Sequence, residues 1–233
     1  MKKSNAFTMI ELIIVLVVLG IIAVLSAPRL KRDTRAEAAT QILHMIRYTQ
    51  NLALHDSKHQ RDTSRWQRAY WKFQVYTCRN NDKFFTIGTN SDLIRRDISD
   101  ISVNEAAIDP SNSKPLTWHA GKPCPTNDSS LKASKVSPNI FITQKYGINK
   151  VEFSSCKVFK TKAVSSNSVT HIGFDGFGRV YRSFTATSKA NHWGYAVEDC
   201  KITFSFADSS IYPFTIVVEN ETGYAYLEEK PNL

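Results

Sequence analysis

Apolar residues fill almost every position from Phe7 to Ala27, broken by one acid, Glu11, and closed by Pro28. Lys2 and Lys3 precede the run, and Arg29, Lys31 and Arg32 follow it. About 20 apolar residues of helix cross a bilayer core, so the run is just long enough for one pass. Beyond Pro28 the pattern becomes a three- and four-residue recurrence. Leu30, Ala38, Ile42, Met45, Ile46, Thr49, Leu52 and Ala53 share one face, opposite Arg32, Asp33, Glu37, Gln41 and Gln50. That period predicts an amphipathic helix. The two patterns together predict one helix from about Thr8 to about Leu54, bent between Gly20 and Pro28. Proline withdraws an amide donor there and crowds the preceding turn.

After a charged loop at 56–65 the pattern turns to short alternating runs. Ala69–Cys78 predicts a strand with Trp71, Phe73 and Val75 on one side, paired through Arg79–Asp82 to a second strand at Lys83–Thr89. Residues 90–138 hold Pro110, Pro115, Pro123, Pro125 and Pro138 and little regular pattern. They read as a long insertion pinned by Cys124, either a functional surface or, the favoured reading, variable decoration. Further strands are expected at Ile140–Thr143, Lys150–Phe153, Val169–Phe174, Val180–Ser183, Lys201–Phe206, Phe214–Glu219 and Tyr224–Leu227. Turn signals at Asp175-Gly176 and Asn220–Gly223 argue for antiparallel sheet. The fold class is α+β, with the apolar stripe of the second half-helix packed on an antiparallel β-sheet head.

The common readings of the first segment are a cleaved secretory signal or a plain anchor. The charged leader is short for a signal, and the apolar run continues well past a signal core. Pro28 follows the small-residue stretch Leu25-Ser26-Ala27, a poor place for signal cleavage. Glu11 is unusual in either reading, because a carboxylate within an apolar phase costs a few kcal/mol and needs a partner or a task.

The stretch Ala6-Phe7-Thr8-Met9-Ile10-Glu11-Leu12 resembles the prepilin (class III) signal of type IV pilins and type II secretion pseudopilins. The resemblance implies a prepilin peptidase that cuts between Ala6 and Phe7 and methylates the new amine of Phe7. Ala6 stands where that family usually has Gly. Glu11 then takes the family's glutamate position, able to pair with the Phe7 amine of a neighbouring subunit. Gly20 and Pro28 match positions where the family's helix loosens. The implied division is a leader at 1–6, a transmembrane half-helix at 7–28, a soluble half-helix at 29–55 and a globular β-rich head at 56–233. The implied partners are other pilin or pseudopilin subunits in a helical filament, an inner-membrane assembly platform and the inner membrane itself.

Charge and cysteines bear on the orientation. The net charge of +9 is uneven: residues 1–75 carry +7, 76–150 carry +3 and 151–233 carry −1. Counting basic residues at the two ends of the apolar run would leave the head in the cytoplasm. The family topology is the reverse, a single pass with the leader cytoplasmic and the head periplasmic, then a place in a periplasmic or surface filament. Four widely spaced cysteines without a CxxC pair favour that topology, since they suit two disulfides in an oxidising compartment. Three pairings are open, and the working choice joins Cys78 to Cys124 and Cys156 to Cys200.

Phe174-Asp175-Gly176-Phe177-Gly178-Arg179 is similar to the FD-x-x-GR turn of GspH/FimT-type minor pseudopilins. The closing segments Ile202-Thr203-Phe204, Ile216-Val217-Val218 and Thr222-Gly223-Tyr224 are similar as well. The insertion after the first hairpin departs from that family's compact form. The expected role is a minor pilin or pseudopilin that initiates or caps assembly of a type IV pilus or type II secretion pseudopilus.

Enzymatic chemistry finds no support in the sequence, which carries no nucleophile elbow, P-loop, HExxH or dinucleotide fingerprint. No cofactor and no metal is expected. His55 and His59 stand four apart but in a polar loop with no evident third ligand, and Asp175 reads as a turn cap rather than a calcium ligand. The competing function is DNA binding in a natural-transformation filament. Basic residues from Lys58 to Arg79 interleave with aromatics, and Arg65, Trp66, Arg68 and Trp71 are the candidate contacts for backbone charge and base stacking. The alternative for these aromatics is a helix–sheet interface with the charges facing water.

Overall fold

A computed structural model describes residues 9–26, 33–58, 66–90, 101–158, 170–182, 184 and 192–228. The chain forms two compact units, one ending at Thr34 and the other running from Arg35. In the first, helix α1 (Met9–Ser26) continues through Gly20 without a break. Pro28, and with it the expected bend at that proline, lies outside the described residues.

The second unit begins on α2 (Thr34–His55), whose buried residues are Ala38, Ala39, Ile42, Met45, Ile46, Thr49 and Ala53. These are the three- and four-residue positions of the apolar stripe. The buried Thr49 hydroxyl donates to the Met45 carbonyl at 2.8 Å, so it is satisfied within the helix. Just past the helix end, Asp56 accepts a hydrogen bond from the Trp71 indole at 3.0 Å.

Among the described residues eight strands follow: β1 (Trp71–Thr77), β2 (Lys83–Gly88), β3 (Ile148–Ser154), β4 (His171–Phe174), β5 (Val180–Tyr181), β6 (Cys200–Phe206), β7 (Phe214–Val218) and β8 (Ala225–Leu227). They form two four-stranded sheets, ordered β2-β1-β4-β5 and β3-β6-β7-β8. All their pairings are antiparallel. Strand β6 alternates cleanly: Cys200, Ile202, Phe204 and Phe206 are buried while Lys201, Thr203 and Ser205 are half-buried. The stripe of α2 shares one core with Phe73, Val75, Ile172 and Phe174 of the first sheet and with Ile202, Phe204, Ile216 and Val218 of the second. The α+β class and the antiparallel sheets are therefore as the sequence implies.

Three expectations need correction. The first strand is not one-sided: Lys72 and Gln74 are buried along with Phe73 and Val75, because both faces of the first sheet are covered. The expected strand at Ile140–Thr143 is instead a 3₁₀ turn (Pro138–Ile140) followed by the short helix α4 (Ile142–Tyr146). Ser137 caps that turn with Pro138 at its first position, and Gly147 ends α4 in the left-handed region at φ 73°. The described part of the 90–138 insertion is not decoration. Leu116, Asp109 and Ser137 are fully buried, and the backbone of 105–116 bonds to β2 through Ala107 N–H to Ile87 O and Ile87 N–H to Leu116 O. It also contains a further short helix, α3 (Asp128–Ala133), opened by an Asn127–Ser130 capping box.

Asp109 organises this segment. Its carboxylate accepts from the Ser111 amide (2.8 Å), the Ser111 hydroxyl (2.7 Å), the Ser137 hydroxyl (2.5 Å) and the Asn139 amide (2.8 Å). Burial opposes its charge, but these hydrogen bonds outweigh it and hold the carboxyl below the usual carboxylate range. Two disulfides, Cys78–Cys124 and Cys156–Cys200, tie the insertion to the first hairpin and the end of β3 to the start of β6.

Candidate functional site

The turn between β4 and β5 is built around one carboxylate. Asp175 is only 2% exposed. One of its oxygens accepts from the backbone amides of Phe177 and Arg179, both at 2.9 Å. The other accepts from Arg179 Nε at 2.9 Å and Nη2 at 2.8 Å. This charge-assisted pair, with two guanidinium N–H groups on one oxygen, fixes both the turn and the arginine. The guanidinium then lies over the Tyr195 ring, 4.6 Å from its centre. Both oxygens are committed inside the turn, which makes Asp175 a cap.

This turn meets two other elements. Gly178, at φ 84°, presents its carbonyl to Gly223, at φ 67°, so closely that a Cβ on Gly223 would lie 1.9 Å from that oxygen. Gln50 of α2 donates to the Thr222 carbonyl at 2.6 Å, and the Val180 amide donates to the Asn220 carbonyl at 3.1 Å. The end of α2, the β4–β5 turn and the β7–β8 turn are thus locked together. Phe177, at the tip, stays 81% exposed.

In the other unit, α1 presents apolar side chains to its surroundings: those from Met9 to Ile22 are between 46% and 82% exposed. Glu11 lies in its first turn, where a negative charge complements the helix dipole. Among the described residues no helix is long and apolar enough to cross a membrane. The eighteen residues of α1 rise about 27 Å against a hydrocarbon core of about 30 Å. An exposed apolar helix bearing one carboxylate near its start is what a membrane phase or a bundle of like helices would cover.

Residues 1–27 match the family model of the prokaryotic N-terminal methylation motif. This N-terminus is that of a type IV pilin-like precursor. No curated protein and no solved structure matches the chain. The motif implies processing by a prepilin peptidase and assembly with other pilins. Within that matched segment Ala6 and Phe7 lie outside the described residues, and Glu11 and Gly20 lie on α1.

The candidate nucleic-acid contacts are not gathered on a surface. Trp66 and Arg68 are buried, Trp71 is half-buried beside Lys58, and Arg65 lies outside the described residues. Trp66 and Tyr70 instead build a second apolar cluster with Tyr181 and Phe184. The alternative reading also needs correction, since the charges of Arg68 and Lys72 do not face water. His55 bonds to its own helix, with Nδ1 2.9 Å from Asn51 O, and His59 lies outside the described residues. No cluster of three metal-ligating side chains occurs among the described residues.

Sequence reasoning missed Gln50 and Asp109. Gln50 falls on the polar face of α2, where spacing predicts solvent, and the turns of distant strands come to it instead. Asp109 stands beside Pro110 in a segment without periodicity. An Asp-Pro-Ser-Asn run is a recognisable turn signal, but nothing local shows that the turn is buried.

Proposed function

We propose that this pilin-like chain is a minor subunit that initiates or caps assembly of a type IV pilus or a type II secretion pseudopilus. The observation that carries the reading is the exposed apolar α1 with its single carboxylate, lying within the segment that matches the methylation motif. On this reading the apolar run from Phe7 to Ala27 anchors the precursor in the inner membrane with the head in the periplasm. Cleavage after Ala6 frees the Phe7 amine, which is N-methylated. That amine pairs with Glu11 of a neighbouring subunit, and the pairing offsets the desolvation of both charges and rewards correct axial register. Gly20 and Pro28 give the helix local freedom as it moves from bilayer to filament. The two disulfides suit an oxidising periplasm. The stapled, elaborated head supports a specialised subunit rather than a bulk one, and the chain acts as a scaffold with no catalysis of its own.

Electron microscopy of a deletion strain beside its complemented parent tests the reading. Loss of surface filaments, restored by the gene, is the expected result for the pilus branch. Unchanged filaments with loss of export of a secreted protein support the secretion branch. Unchanged filaments together with unchanged export overturn the proposal.

A further inference from the structure

An edge strand offers a row of backbone amides and carbonyls with which a further strand can pair. Here the edges are β2 and β5 of the first sheet and β3 and β8 of the second. Among the described residues three of them are covered. The segment 105–116 bonds to β2 through Ala107 N–H to Ile87 O and Ile87 N–H to Leu116 O. Beside β5, the Arg182 amide donates to the Gly194 carbonyl at 2.8 Å and the Ala196 amide to the Val180 carbonyl at 3.1 Å. Strand β8 has only three residues, and Arg47 Nε of α2 donates to its Ala225 carbonyl at 2.9 Å.

Strand β3 is the exception. It is seven residues long, holds no proline or glycine, and pairs with β6 alone among the described residues. A bulge between Ile148 and Lys150 and the positive φ of Ser155, 50°, bound a regular span from Lys150 to Ser154. Val151 and Phe153 pack on the core, while Lys150, Glu152 and Ser154 alternate with them on an exposed face. The Lys150 and Glu152 side chains are 63% and 54% exposed and pair with each other at 2.9 Å. A lysine commonly protects an edge, because a copy laid beside it can bring like charges together. The spacing here works the other way. When the strand pairs antiparallel with its own copy about Val151, position 150 faces position 152 of the other. Each lysine then meets a glutamate.

We infer that the open edge of β3 is a docking surface for a second copy of this chain, joined strand to strand with Lys150 of each copy opposite Glu152 of the other. Registers centred on Lys150 or on Glu152 would set like charges face to face, so the charge pattern selects the one centred on Val151. The contact is isologous. Backbone hydrogen bonds along Lys150–Ser154 supply affinity, and the two ion pairs fix the register. The two-fold axis of such a pair stands perpendicular to the sheet, so α2 of the second copy points the opposite way. The contact therefore joins subunits of separate assemblies and not successive subunits of one filament. The inference does not depend on the filament reading.

Sedimentation equilibrium of the full-length protein, in a large excess of detergent micelles at low ionic strength, tests this over a range of protein concentration. A reversible monomer–dimer equilibrium is expected. Lys150→Glu and Glu152→Lys should each weaken the dimer by roughly tenfold or more, because each sets like charges opposite in both pairs. The double variant, Lys150→Glu with Glu152→Lys, restores opposite charges in the same register and should return the parent's affinity. Both side chains are exposed, so all three variants should keep the parent's Tm. Association through α1 would be indifferent to these changes, which separates the two contacts. A protein that stays monomeric into the millimolar range overturns the inference. So does a dimer that the single variants leave intact or that the double variant fails to restore.

Discussion

Two glycines with the same backbone need separate reasons. Gly147 and Gly223 both hold a positive φ, near 70°. Gly147 has open space where a Cβ would go, whereas Gly223 faces the Gly178 carbonyl. Gly147→Ala is expected to cost only the conformational penalty, about 1 kcal/mol. Gly223→Ala adds a collision with backbone that cannot rotate away, and should cost roughly 2–4 kcal/mol. Urea midpoints of the two variants check the difference, and equal losses would mean that the locked turns relax freely.

His171 sets a pH dependence. Burial, opposed only in part by its hydrogen bond to Arg182, lowers its pKa to about 3, against about 6.5 in an unfolded chain. Below pH 6.5 the unfolded state takes up a proton that the folded state refuses. Stability is therefore lost as pH falls from 6.5 towards 3, with roughly 2 kcal/mol gone by pH 5. His171→Gln keeps a side-chain donor but does not titrate. Its denaturant midpoint should vary less than that of the parent between pH 7 and 5.

Among the elements, those built on a single period were legible in the sequence. The stripe of α2 and the alternation of β6 are both where hydrophobic spacing puts them. The Ile140–Thr143 run was not legible, because a short apolar run fits strand and helix equally and the flanking Ser137-Pro138 and Gly147 decided it. Burial of Lys72 and Gln74 could not be read either, since polar residues at alternate positions predict a wet face. The segment from 101 to 138 lacks a period and relies on Asp109 and on its disulfide. Asn80 reinforces that staple, accepting from the Cys124 amide at 3.0 Å. Paired Cys78→Ser and Cys124→Ser changes remove a link spanning 46 residues, which on loop-closure entropy costs about 4 kcal/mol. Limited proteolysis of the double variant should cut first between 90 and 138. Cleavage elsewhere first would show that the insertion holds without its staple.

At the scale of the whole molecule, the candidate sites differ in how far they could be read from sequence. The N-terminal segment is legible because a peptidase reads it as a linear stretch, so its information is local by nature. The locked turns were legible by half: Asp175, Gly178 and Gly223 stand in recognisable turns, but Gln50 reaches them from more than a hundred positions away. The buried polar row of Lys72, Gln74, Thr86 and His171 was illegible, being a product of register across three strands. Net charge follows the same division, with most of the excess positive charge within the first 75 residues and none beyond 150. The basic character therefore belongs to the N-terminal part of the chain and not to the closing sheet.

The central claim, that this chain is processed as a pilin-like subunit, is tested most directly at its N-terminus. Protein recovered from the membrane and filament fractions of its native host should be digested and its N-terminal peptide sequenced by mass spectrometry. The account predicts a peptide beginning at N-methylated Phe7. A mature protein that retains Met1 to Ala6, or that begins after Ala27, would contradict it.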